Sequence, residues 1–215
     1  MSGAKIGAKI CGLSTPETLD AAVGGGASHV GFVFFPPSPR TLTRARAQQL
    51  AARVPAHVAR VGVFVDPDDA LLDASISAGA LNILQLHKSS PARAAHIRAT
   101  TGLPVWAAVA VKQRGDLAAA QTFAGAADRI LYDAKTPPGA ELPGGMGVRF
   151  DWTLLEGFRH PLPWALSGGL DPHNVAEAIR TTGAELVDVS SGVESTPGIK
   201  DVTKIRAFLA AVQHR

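Results

Sequence analysis

The segment WALSGGLDPHNVAEAIRTTGAELVDVSSG, residues 164–192, carries one complete unit of the pattern that decides the fold. An apolar run from Trp164 to Ser167 breaks at Gly168-Gly169, a helical stretch from Pro172 to Arg180 stops at Gly183, and a second apolar run from Leu186 to Ser190 breaks at Ser191-Gly192. The first run is unbroken up to Ser167, and Asp188 alone interrupts the second before its closing Ser190. Near-continuous runs of this kind mark parallel strands buried on both faces. Parallel neighbours need a crossover, and the intervening stretch has the spacing of a helix.

The same rhythm fills the chain on the N-terminal side of this segment. Strand runs stand at Ala8 to Cys11, His29 to Phe34, Ala59 to Val65, Asn82 to Leu86, Val105 to Val111, Arg129 to Tyr132, Trp164 to Ser167 and Leu186 to Ser190. Helical stretches follow them at Pro16 to Val23, Arg44 to Arg53, Asp68 to Ser77, Pro91 to Thr100, Asp116 to Phe123, Asp151 to Glu156, Pro172 to Arg180 and Val202 to Val212. Thr15 before Pro16 and Asp171 before Pro172 each place a capping oxygen ahead of a proline at the first helical position. Gly24, Gly79, Gly102, Gly125 and Gly183 stand where helices should stop. This alternation predicts an α/β fold, a minimal (β/α)8 TIM barrel forming a single domain over residues 1–215, near the ~200-residue lower end for that architecture. An open doubly wound sheet is the alternative. It would normally show a glycine fingerprint after its first strand, and the chain has neither G-x-G-x-x-G nor G-x-x-x-x-G-K-[ST]. The longest irregular stretch, Thr136 to Arg149, follows the sixth strand and reads as a mobile active-site loop.

Composition narrows the functional classes. The chain is 46% hydrophobic and 18% charged, which is the balance of a soluble globular protein; a chain of this size buries roughly 70% of its unfolded surface without staples. A single Cys allows no internal disulfide and no zinc spacing, and fits a reducing, cytoplasmic setting. No run approaches the ~18 apolar residues of a membrane span, so no membrane partner is expected. The net charge of +3 comes from 21 basic and 18 acidic residues scattered along the chain, with no tract to bind nucleic acid. A pI near 9.3 favours anionic small molecules instead.

In a barrel the chemistry sits where the strands end at their C-termini. Those ends carry Cys11, Phe35 to Arg40, Asp66, His87, Lys112, Asp133, Ser167 to Gly169 and Asp188 to Gly192. Cys11 is either a small buried hydrophobe or, as a thiolate, a base or nucleophile. Asp133 is either a turn cap or an acid whose pKa burial could raise toward neutrality. Arg40, in the proline-stiffened PPSPR stretch, is a solvated loop residue or a fork for a carboxylate. His87 is a hydrogen-bonded strand-end residue or a substrate contact. Gly168 and Gly169 after strand seven, with Ser190, Ser191 and Gly192 after strand eight, form two small-residue loops of the kind that admit a phosphate.

Taken together these blocks resemble the phosphoribosylanthranilate isomerase family over nearly the whole chain. The blocks are KICGL at Lys9 to Leu13, GFVF with the SPR loop at Gly31 to Arg40, RVGVFV at Arg60 to Val65, QLH at Gln85 to His87, LYDAKTP at Leu131 to Pro137, FDW at Phe150 to Trp152, LSGGL at Leu166 to Leu170, and VDVSSGVESTPGIKD at Val187 to Asp201. The resemblance implies Cys11 as general base, Asp133 as general acid, Arg40 on a substrate carboxylate, the two small-residue loops on the phosphate, and Asp188 as a substrate contact. It implies a small phosphoribosyl substrate and no metal, redox cofactor or nucleotide, in a monomer or a homodimer. The reaction, an Amadori rearrangement, needs the thiol and the acid pushed in opposite directions, toward thiolate and neutral carboxyl. Two departures stand out: Lys88 occupies the position after Gln-Leu-His where the family often has Gly, and Ser2 to Ala8 reads as an extension without a role. Two other classes remain open at this level. A histidine-pathway phosphosugar isomerase would carry paired aspartates in place of Cys11 and Asp133, and a non-catalytic phosphate-binding barrel would have no need of an acid facing a thiol.

Overall fold

The computed structural model describes residues 6–137, 139 and 144–214. Eight parallel strands close into a barrel: β1 (Gly7–Cys11), β2 (His29–Val33), β3 (Ala59–Val65), β4 (Ile83–His87), β5 (Val105–Val111), β6 (Arg129–Ala134), β7 (Trp164–Leu166) and β8 (Leu186–Val189). Strand β8 returns to β1 through Gly7↔Leu186, Ala8↔Val187, Lys9↔Asp188 and Ile10↔Val189. The strand starts at Gly7, so Gly7 and Ala8 belong to the seam that closes the barrel and are no idle extension; Ser2 to Lys5 lie outside the described residues.

The connecting helices are α1 (Pro16–Gly24), α2 (Arg44–Ala51), α3 (Asp69–Gly79), α4 (Pro91–Thr101), α5 (Val175–Thr182) and α6 (Val202–Gln213). Their starts follow local chemistry. Thr15 accepts from the Thr18 amide ahead of Pro16, Ser90 accepts from Arg93 ahead of Pro91, and Asp201 accepts from Lys204. Gly102 and Gly183 end α4 and α5 in the left-handed conformation.

Three expected helices differ. The stretch predicted at Asp116 to Phe123 is a run of 3-10 turns from Arg114 to Phe123, started early because the Asp116 carboxylate accepts the amides of Lys112 and Gln113. The one at Asp151 to Glu156 is a single 3-10 segment, Trp152–Leu155, with room for little more than one turn. Asp171-Pro172 does not open α5. The Asp171 side chain accepts from the His173 and Asn174 amides in a turn, and the helix begins at Val175. Asn174 then donates to the Gly169 carbonyl at 2.9 Å, tying the helix to the glycine loop.

Side chains alternate across each strand, and the outward set packs beneath the helices around Phe32, Phe64, Leu84, Tyr132 and Phe208. Each such fully buried apolar side chain contributes roughly 1.5–3 kcal/mol. Inside the barrel Val61, Trp106, Leu131, Ala165 and Leu186 plug the N-terminal half. Two residues further along, Leu131, Ala165 and Leu186 give way to Asp133, Ser167 and Asp188, while Val61 and Trp106 are followed by the apolar Val63 and Ala108. That switch places the functional groups on the floor of one cleft.

Candidate active site

The cleft at the C-terminal mouth, about 540 Å³ and open to solvent, is floored by Cys11 of β1, Val33 of β2, Val63 of β3, Gln85 and His87 of β4, Asp133 of β6, and Asp188 of β8. Arg40 and Phe35 come from the loop after β2. A second hollow of about 350 Å³ is lined by Ser167, Gly168 and Gly169 after β7 and by Ser190 and Ser191 after β8. Asp133, Gly144, Gly145, Ser167, Asp188 and Ser190 line both. The two hollows are therefore lobes of one groove with carboxyl groups at the junction.

Cys11, Arg40, His87, Asp133, Gly168, Gly169, Asp188, Ser190 and Ser191 line this groove, Gly192 follows Ser191 in its wall loop, and Asp66 and Lys112 line neither lobe. Asp133 is buried, its Oδ1 accepting the Ala134 amide at 2.9 Å. Burial, then the negative charge of Asp188, push its pKa up to about 7. That is the direction expected of a neutral acid. Cys11 runs against expectation: burial lifts the thiol above its ordinary value, and the Lys9 cation beside it recovers only part of the shift. The sulfur rests as a thiol. His87 is buried and neutral, its pKa driven by desolvation down to about 4, with Nε2 3.0 Å from the Gln85 side-chain nitrogen.

Arg40 departs from a free fork. Its Nε and Nη2 reach the two carboxylate oxygens of Glu194 at 2.7 and 2.8 Å, and Nη2 also donates to the Gly145 carbonyl at 2.9 Å. Glu194 is further paired with Lys200, which donates to the Ser190 carbonyl as well. Among the described residues no acceptor holds Nη1, which lies beneath the Gly145 backbone, and Arg40 lines the cleft.

Residues 138 and 140–143 of the loop predicted at Thr136 to Arg149 lie outside the described residues. Its second half descends onto the site. A Cβ at Gly144 would stand 2.5 Å from Asp133 Oδ2, so only glycine lets the backbone cover the acid. Across the junction, a Cβ at Gly192 would stand 1.9 Å from the Leu170 carbonyl oxygen; that glycine lets the two small-residue loops meet.

Sequence reasoning missed Lys9, Gln85, Glu194 and Lys200. Lys9 is wholly buried inside the barrel, its Nζ 2.9 Å from Asp188 Oδ1. The available signal was a charged or amide side chain within an apolar strand, two residues before a strand end. Gln85 Oε1 is buried with no hydrogen-bond partner, in the wall of the cleft. Among the described residues no three His, Cys, Asp or Glu side chains are grouped to hold a metal ion.

A model of the family N-(5'phosphoribosyl)anthranilate (PRA) isomerase matches residues 8–211. The chain belongs to this family. It is 53% identical over 206 residues to the N-(5'-phosphoribosyl)anthranilate isomerase of Paramagnetospirillum magneticum, spanning 95% of this chain and 96% of that one. It is 54% identical over 207 residues to that of Zymomonas mobilis subsp. mobilis, spanning 95% and 97%. Among solved structures, phosphoribosyl anthranilate isomerase from Thermotoga maritima superposes with a TM-score of 0.87 at 37% identity, over 98% of this chain and 100% of that one. A family structure in complex with reduced 1-(o-carboxyphenylamino)-1-deoxyribulose 5-phosphate superposes with a TM-score of 0.84 at 34% identity, over 98% and 100%. The Thermotoga maritima protein is described as dimeric. No helix among the described residues is long and apolar enough to cross a membrane.

Proposed function

We propose that this chain converts N-(5-phosphoribosyl)anthranilate to 1-(2-carboxyphenylamino)-1-deoxyribulose 5-phosphate, a step of tryptophan biosynthesis, by acid–base Amadori rearrangement in the cytoplasm. The observation that carries this reading is the two-lobed groove. One lobe is walled by Val33, Phe35, Val63 and Val65 with Arg40 at its edge, which suits an aromatic carboxylate. The other, between Gly168-Gly169 and Ser190-Ser191-Gly192, suits a phosphate. A ribose linking them would lie across the junction, at the carboxyl groups.

In this reading neutral Asp133 protonates the furanose ring oxygen and the ring opens to an iminium. The iminium withdraws electrons from C2, and the Cys11 thiolate takes the C2 proton to give an enolamine. Protonation of C1 and loss of the enol proton then give the ketone. The productive state holds a single proton, on Asp133 and off Cys11. Since Asp133 titrates near 7 and Cys11 above the ordinary thiol value, this state is a minority at every pH. Its population rises until Asp133 ionises near pH 7, stays level, and falls once the thiol titrates. kcat/KM should follow that bell, with Cys11 responsible for the falling limb.

The reading extends to residues 1–215 acting as one domain, supported by closure of β8 on β1, and to a homodimer. Among the described residues the large apolar side chains left exposed are Met146, in the loop after β6, and Ile199, in a short hairpin after β8; solution mass against the 22.2 kDa monomer decides the point. The direct assay is loss of anthranilate-derivative fluorescence on adding enzyme. Cys11→Ser and Asp133→Asn should each lower kcat by about 100- to 10,000-fold. Near-full turnover by either variant removes that residue from its role. Ligand binding by calorimetry without turnover in the parent would make the chain a binding barrel.

A further inference from the structure

The reaction uses Cys11 as a thiolate, yet the sulfur is buried at the floor of a barrel, where burial opposes charge. A fixed cation has to offset that. Three cations act near the mouth end of β1. The Arg40 fork is committed to Glu194, and Lys200 is shared between Glu194 and Ser190. Lys9 remains.

Lys9 precedes Cys11 by two residues on β1, so both side chains enter the barrel on the same face. Directly across the seam, Asp188 is its register partner, and one ammonium hydrogen goes to Asp188 Oδ1 at 2.9 Å. An ammonium has three donors, which leaves others to turn toward the sulfur. The room for this comes from Gly31, the register partner of Cys11 on β2. A Cβ there would stand 3.0 Å from Cys11 Sγ and 3.1 Å from Lys9 Cε. The lysine chain therefore runs over a bare backbone beside the thiol.

We propose that Lys9 is a positioning residue for Cys11: anchored by Asp188 and laid across Gly31, its ammonium is the counter-charge that holds the Cys11 thiolate. The catalytic meaning of this rests on the reading of Cys11 as the base. The charged and titratable groups facing the sulfur are Lys9 from β1, Asp188 from β8, Lys200 from the short strand Ile199–Lys200 and Arg40 from the loop after β2. Asp133 of β6 and His87 of β4 share the cleft. Among these Lys9 acts on the thiol most strongly, and Asp188 opposes it less. The pair thus divides its work, with Lys9 favouring the thiolate and Asp188 favouring the protonated form of Asp133.

Cys11 is the only cysteine in the chain, so a whole-protein thiol titration reads this one sulfur. Thiolate absorbance near ~240 nm, or the rate of iodoacetamide alkylation, followed against pH without substrate gives its midpoint whether or not the protein turns over. Lys9→Met should move that midpoint up by a unit or more, move the falling limb of kcat/KM up with it, and lower the plateau of kcat/KM about tenfold per unit. A buried Asp188 left without its cation could unfold the variant. Lys9→Met combined with Asp188→Asn removes both charges, and its thiol midpoint should still move up, by less. A midpoint within about 0.3 unit of the parent in whichever of these variants folds overturns the proposal. A midpoint that moves while the falling limb stays supports Lys9 as the counter-charge and removes Cys11 from the role of base.

Discussion

At the scale of single residues, the acid that makes Asp133 useful also makes it costly. Its pKa of about 7 lies some three units above that of an unfolded aspartate, so ionising it in the fold is unfavourable. The sign is that of a raised pKa: the native state is favoured by this group below the unfolded value near 4, and the benefit is lost as pH rises through about 7. At ~1.4 kcal/mol per unit, the penalty above pH 8 is up to about 4 kcal/mol. Asp133→Asn keeps an oxygen for the Ala134 amide and carries no charge. Urea unfolding should therefore find the variant about 2–4 kcal/mol more stable than the parent at pH 8 and no more stable at pH 4; equal stability at both would show that the carboxyl is not held neutral. The position of Asp133 was legible, because LYDAKTP ends an apolar run with a carboxylate. The direction of its pKa was an expectation of the chemistry, while its causes belong to the closed barrel: burial first, then the charge of Asp188 on a strand 55 residues away in sequence. The same is true of Cys11, whose strand position shows in KICGL while the burial that keeps it a thiol is a property of the closed barrel.

At the scale of elements, the strands were the most legible part, because continuous Val, Ile and Leu runs survive any register. The helices were less so where a turn chemistry competes, as with the carboxylates of Asp116 and Asp171, which bind amides of their own neighbours before a helix can start. Three element ends carry left-handed backbone at a residue other than glycine: Asp66 after β3 at φ 42°, which an aspartate tolerates better than most, and two others. Ala80 closes α3 at φ 43°, and Lys88 follows β4 at φ 56°. The left-handed region costs a residue with a Cβ about 1–2 kcal/mol, part of which glycine loses again through its freer unfolded chain. Lys88 is the position where the resemblance implied Gly, and its φ of 56° is one that glycine adopts without strain. Ala80→Gly and Lys88→Gly should each raise stability by about 0.5–1 kcal/mol, read as a higher urea midpoint with unchanged slope. A loss of stability at either site would mean that contacts of the Cβ outweigh the strain.

At the scale of the whole molecule, closure is what turns separated signals into a site. The sequence shows Arg40 and Glu194 154 residues apart, and nothing local says that they pair; only the ring of eight strands brings the loop after β2 against the segment after β8. Closure also traps two histidines in neutral form. His29, beside Lys9 and Arg129, and His87, beside Lys9 and Lys88, are both pushed by burial and then by those cations down to about 4. A lowered histidine pKa means that the unfolded chain takes up protons first. Stability from these groups is complete above about 6.5 and drains as pH falls toward 4, by up to about 3 kcal/mol each. Asp133 works in the opposite sense over the same range, regaining up to about 4 kcal/mol as it protonates. The carboxyl offsets about two thirds of the histidine loss, which leaves a net loss of about 2 kcal/mol. The parent should therefore lose a modest amount of stability between pH 6.5 and 4, and Asp133→Asn, which lacks the compensation, should lose it more steeply. His29 lies outside the groove, and its Nδ1 contact to Ser28 Oγ at 2.8 Å can be kept by an asparagine. His29→Asn should flatten the acid slope by about half of the histidine part. Urea midpoints for the three proteins at several pH values between 4 and 8 read this directly. Parallel profiles for all three would show that the acid response of the barrel comes from elsewhere than its buried imidazoles and its raised carboxyl.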